Sequence, residues 1–184
     1  MPCNFVFLKR KGTNMAIQQH LKEELLFKSK LPTRYFLAEA KSSVVIEYLK
    51  ASHWRYEYEI IPRIEQNFNS LIRHFPQLPT LPVIFNLFIK FQVSLKIHMS
   101  IEEDGMYKEF LERKNYDQHS EHHNSEEHEE PYLSEIIALI EKEPCAKNTF
   151  CRILLTQLRR FQEELREHAW IEEHIVNQRM KQKK

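Results

Sequence analysis

Apolar positions recur at helical spacing along four long stretches of this chain. The first runs from about Ser42 or Ser43 to about Phe75, with Val45, Tyr48, Leu49, Tyr56, Ile60, Ile64, Phe68, Leu71 and Ile72 in register. Pro62 falls inside it, so a kink is expected there. FPQLPTLP is a loop, and a second helix is expected from about Pro82 to Glu112, with Phe85, Phe88, Phe91, Leu95 and His98 on one side. Residues 114–126, KNYDQHSEHHNSE, carry no apolar face and read as a polar connection. A third helix is expected from about Ser125, a suitable cap, to Glu143, with Pro131 forcing a bend or a later start. After EPCAKN, a fourth runs from about Thr149 to Met180 and ends in the basic QRMKQKK. Ahead of these, AIQQHLKEELLFKSKLP suggests a short helix that stops before Pro32, and residues 1–41 read as an N-terminal extension. The pattern predicts an all-α fold: an up-down-up-down four-helix bundle over residues 42–184 behind a short helical extension.

Composition agrees with this reading. The chain has only 2 Gly in 184 residues, too few for tight hairpins, and it is rich in strong helix formers. A formal net charge of +1 gives no electrostatic case for nucleic acid. Cys3, Cys145 and Cys151 form no CxxC and no disulfide framework, which fits a reducing compartment. The opening MPCNFVFLKRKGTN is too short for a secretory core, and no uninterrupted run approaches the roughly 18 apolar residues of a membrane span. A soluble, cytoplasmic protein that does not use a membrane is expected.

The 10 histidines change the picture. HMSIEE places His98 four residues before Glu102, and HAWIEEH places His168 four residues before Glu172. Residues i and i+4 share a helix face, so each pair can offer an imidazole and a carboxylate to one metal centre. In an antiparallel bundle the second and fourth helices run the same way, and both pairs lie toward their C-terminal parts. Counting from a turn near Gln77, His98 lies 21 residues beyond it and His53 24 residues before it, nearly the same height at about 1.5 Å per residue. His128, near the start of the third helix, falls toward the same end. Mixed nitrogen and oxygen donors without thiolate suit iron or manganese better than structural zinc. Two carboxylates able to bridge suggest two ions. Glu103 and Glu173 lie about 100° further round each helix and are expected to matter less.

In order, HWRYEYEIIPRIE, LIRHF, HMSIEE, EEHEEPYLSEI and HAWIEEH resemble the hemerythrin-like, HHE cation-binding family, and most nearly its repair-of-iron-centres branch of di-iron stress proteins. The resemblance covers about residues 43–178. It implies two non-haem iron ions, with His53, His98, His128 and His168 as ligands and Glu102 and Glu172 as bridging carboxylates. Oxygen-carrying hemerythrins place an acid five residues after the last histidine, where Glu173 stands here, and a further HxxxH on the third helix. His119 and His123 make an HxxxH, but in the polar connector, where solvent exposure is expected. His74 matches a histidine common in the repair branch, yet on a straight helix it lies about 31 Å from His53 and at the other end of the bundle. GMYKEF and HIVNQR stand where the family has an aromatic-proline pair after each HxxxE, and Cys3 stands alone where many members carry adjacent cysteines.

The function implied is repair or protection of iron–sulfur centres under nitrosative or oxidative stress, with iron–sulfur proteins and a small diatomic ligand as candidate partners. The alternative is a sensor or carrier that binds oxygen or nitric oxide without turnover, for which Trp54, Phe88, Phe91 and Trp170 are candidates to line an apolar pocket. A third reading is a metal-free interaction bundle. Tyr56, Glu57 and Glu127 are candidates to orient the ligands from behind.

Overall fold

The computed structural model describes residues 34–112 and 129–181. All regular structure among these residues is helical, without a strand. The helices are α1 (Arg34–Glu39), α2 (Ser42–Arg55), α3 (Ile61–His74), α4 (Thr80–Asp104), α5 (Met106–Glu112), α6 (Glu129–Glu141), α7 (Thr149–Ile171) and α8 (Asn177–Lys181). Two short π-helical segments join neighbours: Tyr56–Ile60 between α2 and α3, and Glu172–Val176 between α7 and α8.

The expected long helices are present, with revealing departures. At Pro62 the helix widens before the proline. The Ile61 N–H bonds Tyr56 O, five residues back. Proline lacks an N–H and its ring crowds the carbonyl four residues earlier, here that of Tyr58; a wider turn relieves that clash. The second expected helix breaks at Gly105. A Cβ there would stand 2.9 Å from the Ile101 carbonyl oxygen, so a larger residue would not fit this backbone. At the start of α7 the Asn148 side chain accepts from the Phe150 N–H at 2.9 Å, a conventional N-cap. The third helix is described over Glu129–Glu141, so its expected start near Ser125 lies outside the described residues.

Two apolar clusters form the interior. The larger joins α3, α4, α6 and α7 through residues such as Ile64, Phe68, Phe88, Phe91, Leu133, Ile140, Leu158 and Phe161. The smaller gathers Leu37 of α1, Val45, Ile46 and Leu49 of α2, Phe110 of α5, and Ile171, Ile175 and Val176. Leu37 is fully buried, Arg34 forks onto Glu167 and lies over Trp170, and Arg179 donates to the carbonyls of Leu37 and Ala38. Residues 34–41, which the sequence pattern assigns to the extension, are therefore packed against the end of the fourth helix.

The continuous segment Thr80–Glu112 is long and apolar enough to cross a membrane by length and composition, with a mean hydropathy of 1.3 over its most apolar window. Asn86, Lys90 and Gln92 interrupt its apolar residues, so it contains no uninterrupted apolar run of that length, while the mean over the window tolerates them. One third of that window (33%) is buried. Its inner face, with Leu81, Ile84, Phe88, Phe91, Leu95 and Met99, belongs to the larger core.

Candidate metal centre

The site lies where the apolar interior is interrupted. On α2, His53 falls between Leu49 of the smaller cluster and Tyr56 of the larger. On α4, Glu102 falls between Met99 of the larger and Met106 of the smaller, and on α7, His168 falls between Leu165 and Ile171 in the same order. Three helices thus spend a buried turn on polar side chains at the same level. Exposure there runs from 3% at His53 to 8% at Glu172. One donor atom each from His53, Glu102, His168 and Glu172 lies within 4.8 Å of all the others, so the group can hold a metal ion.

The imidazoles are held in one orientation from behind. Ser52 donates its hydroxyl proton to the Leu49 carbonyl at 2.7 Å and, with that proton committed, accepts from His168 Nδ1 at 3.0 Å. His53 Nδ1 donates to Glu103 Oε1 at 3.0 Å. Both Nδ1 protons are thereby placed, and both Nε2 lone pairs face inward. Those two nitrogens stand 3.0 Å apart. Two bare lone pairs repel at that distance; a proton on one nitrogen satisfies the pair, and so does a metal ion bound by both. Ligands at right angles on one ion, with bonds of about 2.1 Å, are about 3.0 Å apart, so the spacing fits a shared metal.

The carboxylates complete the arrangement. Glu102 Oε2 is 3.4 Å from His53 Nε2 and Glu172 Oε1 is 3.3 Å from His168 Nε2. Glu102 Oε2 is buried and accepts no hydrogen bond, an orphaned acceptor that a cation would satisfy. Burial alone would push the Glu102 carboxyl up, but its contacts with His53 and His98 and the charge of His168 hold it well below the usual range. Burial likewise opposes a charged His53, yet its contacts with Glu102 and Glu103 outweigh burial and raise its pKa above the ordinary value. The pocket is thus built for a positive charge.

Of the six expected ligands, four come together in this cluster. His98 reaches the other oxygen of the same carboxylate, Nε2 to Glu102 Oε1 at 2.7 Å, with its side chain 40% exposed. Glu102 therefore spans from His53 to His98. His128, His119 and His123 lie outside the described residues. His74 ends α3 and packs its ring on Phe75 and on Phe150, at the opposite end of α7 from His168. Glu172 turns inward, whereas the Glu173 side chain is 74% exposed beside His174.

Three residues escape the sequence reading. Glu103, expected to be secondary, orients His53. Ser52 orients His168. Tyr107 puts its buried hydroxyl into the centre, donating to Glu172 Oε1. Tyr107 has no signal of its own in the sequence; Gly105, which ends α4, re-aims the turn that carries it. Of the candidates named for orienting the ligands, Tyr56 packs its ring edge-on against His168 while its hydroxyl donates to the Glu164 carbonyl, Glu57 pairs with Lys96, and Glu127 lies outside the described residues. The aromatics named as candidates for an apolar pocket pack as follows. Phe88 and Phe91 stack in the larger core, Trp54 is half-exposed against Tyr58, and Trp170 stacks on His174.

Comparison with protein-family models, with curated proteins and with solved structures gives no match, so fold and site stand on this chain's own residues.

Proposed function

We propose that this is a non-haem iron protein built as a hemerythrin-like, up-down-up-down four-helix bundle. The carrying observation is the pair of inward-facing Nε2 atoms of His53 and His168, 3.0 Å apart with both Nδ1 positions engaged, beside the orphaned Glu102 oxygen. Nitrogen and carboxylate donors without thiolate favour iron over structural zinc. A second ion is supported by Glu102, whose second oxygen meets His98; His98 and His128 would serve that ion, with Glu172 as the other bridge. When bound, the iron pair supplies redox chemistry and an acid site for a small ligand. The chain's part is to hold the imidazoles in one tautomer, to supply compensating negative charge, and to keep bulk water out of a buried centre.

The physiological role that best suits such a centre is repair or protection of iron–sulfur clusters under nitrosative or oxidative stress in the cytoplasm, a role supported by the motif resemblance. Reversible binding of oxygen or nitric oxide is the second reading, supported by the burial of His53, Glu102, His168 and Glu172. Elemental analysis of protein made with ample iron should give close to two irons per chain. A preparation that stays metal-free, or holds a single zinc, refutes the di-iron reading. Cluster reconstitution in a damaged iron–sulfur protein, set against stopped-flow binding of nitric oxide and oxygen, separates the two roles.

A further inference from the structure

We propose that Tyr107 is a fifth donor of this site, its phenol oxygen ligating the ion beside His53, His168, Glu102 and Glu172 and biasing the site toward a hard trivalent cation. The inference rests on the metal reading above and adds a ligand and a selectivity to it.

The geometry separates Tyr107 from the residues that stand behind the ligands. Ser52 and Glu103 touch the outward Nδ1 atoms of the two histidines. Tyr107 Oη instead lies on the inward side, 3.5 Å from His53 Nε2 and 3.4 Å from His168 Nε2. Those separations match the carboxylate–imidazole spacings of 3.4 Å and 3.3 Å in the same cluster. The phenol oxygen therefore stands as far from the two nitrogens as the carboxylate oxygens do, at a corner of the same donor set. Its ring lies nearly parallel to that of His53, at 20° with centroids 5.7 Å apart, and is completely buried.

The backbone is arranged to put it there. A straight continuation of α4 is broken at Gly105, where the close Ile101 carbonyl leaves no room for a Cβ. α5 then restarts with Met106, Tyr107 and Phe110 buried in the smaller cluster.

Charge follows from chemistry. A phenolate adds a third negative charge to those of Glu102 and Glu172, which favours a trivalent over a divalent ion at this position. Without metal the Tyr107 hydroxyl donates to Glu172 Oε1; on loading, that hydrogen bond and the O–H bond are exchanged for an O–metal bond and the proton leaves to solvent, with no electron transferred.

The test loads the full chain with ferric iron and, separately, with zinc. The ferric protein should show a visible phenolate-to-iron charge-transfer band and tyrosinate modes in resonance Raman. Tyr107→Phe should keep iron but lose both signals, and its preference for ferric iron over zinc in competition should fall at least tenfold. Bound iron without tyrosinate modes in the wild-type protein overturns the fifth-donor assignment and leaves the metal reading standing. An unchanged metal preference in Tyr107→Phe overturns the selectivity. Failure of the wild-type chain to take up either metal overturns the metal reading itself. The wild-type Raman spectrum decides the ligation even if the variant does not fold.

Discussion

Ser52→Ala tests whether the orientation of His168 is built in by its neighbour. The Ser52 hydroxyl is buried, gives its proton to the Leu49 carbonyl at 2.7 Å and accepts from His168 Nδ1 at 3.0 Å. Alanine is the stronger helix former, so α2 itself should not suffer. What is lost is the acceptor that keeps the proton on Nδ1. A buried donor without a partner costs about 1–3 kcal/mol. The metal-free variant can escape that cost by moving the proton to Nε2, where it meets His53 Nε2 across 3.0 Å. Metal binding must then reverse that tautomer, so the cost appears in affinity. At about 1.4 kcal/mol per tenfold, affinity should fall roughly 10- to 100-fold, the range expected for partners behind a metal-bound histidine. Chelator-competition titration measures it, with imidazole nitrogen NMR reporting the tautomer. Ser70→Ala is the control, since its hydroxyl also bonds back along a helix, to Gln66, but on an exposed face away from the site. Affinity within about threefold of wild type, with the His168 proton still on Nδ1, would refute the reasoning.

Three other outcomes are expected. Glu102→Ala should abolish metal binding and Glu103→Ala should weaken it about 10-fold or more by freeing His53, while Glu173→Ala, at an exposed side chain, should bind as wild type by metal analysis. His168→Ala should lose metal and His74→Ala should retain it, because His74 packs on Phe150 at the far end of α7; equal loss in both would show that the two ends are not separated as described. Cys145 and Cys151 place their sulfurs 3.4 Å apart in the core, and burial, reinforced by Cys145, pushes the Cys151 thiol from 9.0 up to about 12. A raised thiol pKa contributes stability that is complete below 9.0 and is lost as pH rises toward about 12, so denaturant-measured stability should fall faster over that window in wild type than in Cys151→Ala, and equal slopes would count against it.

Much of the site is local, and local features are legible in a sequence. Helical periodicity and the scarcity of glycine give the all-helical fold, and the i,i+4 spacing puts His98 with Glu102 and His168 with Glu172 on shared faces whatever surrounds them. Counting residues from the loop between α3 and α4 sets His53 at the right height. Height along a helix is fixed by rise per residue; which way a side chain turns at that height depends on rotation about the axis, and rotation is set by packing. That is why Glu103, a neighbour in sequence, could be judged secondary until His53 on another helix was found against it. The same holds for Ser52, which matters only because His168 stands across from it. The π-helical turns at Tyr56–Ile60 and Glu172–Val176 add a further change of phase that an average period does not carry, and the second leaves Glu172 inside and Glu173 in solvent. Tyr107 depended on the tertiary structure most of all. Its spacing from His98 belongs to no helical repeat, because Gly105 interrupts the helix between them, and only the packing of α5 on α2 brings its hydroxyl to the two imidazoles.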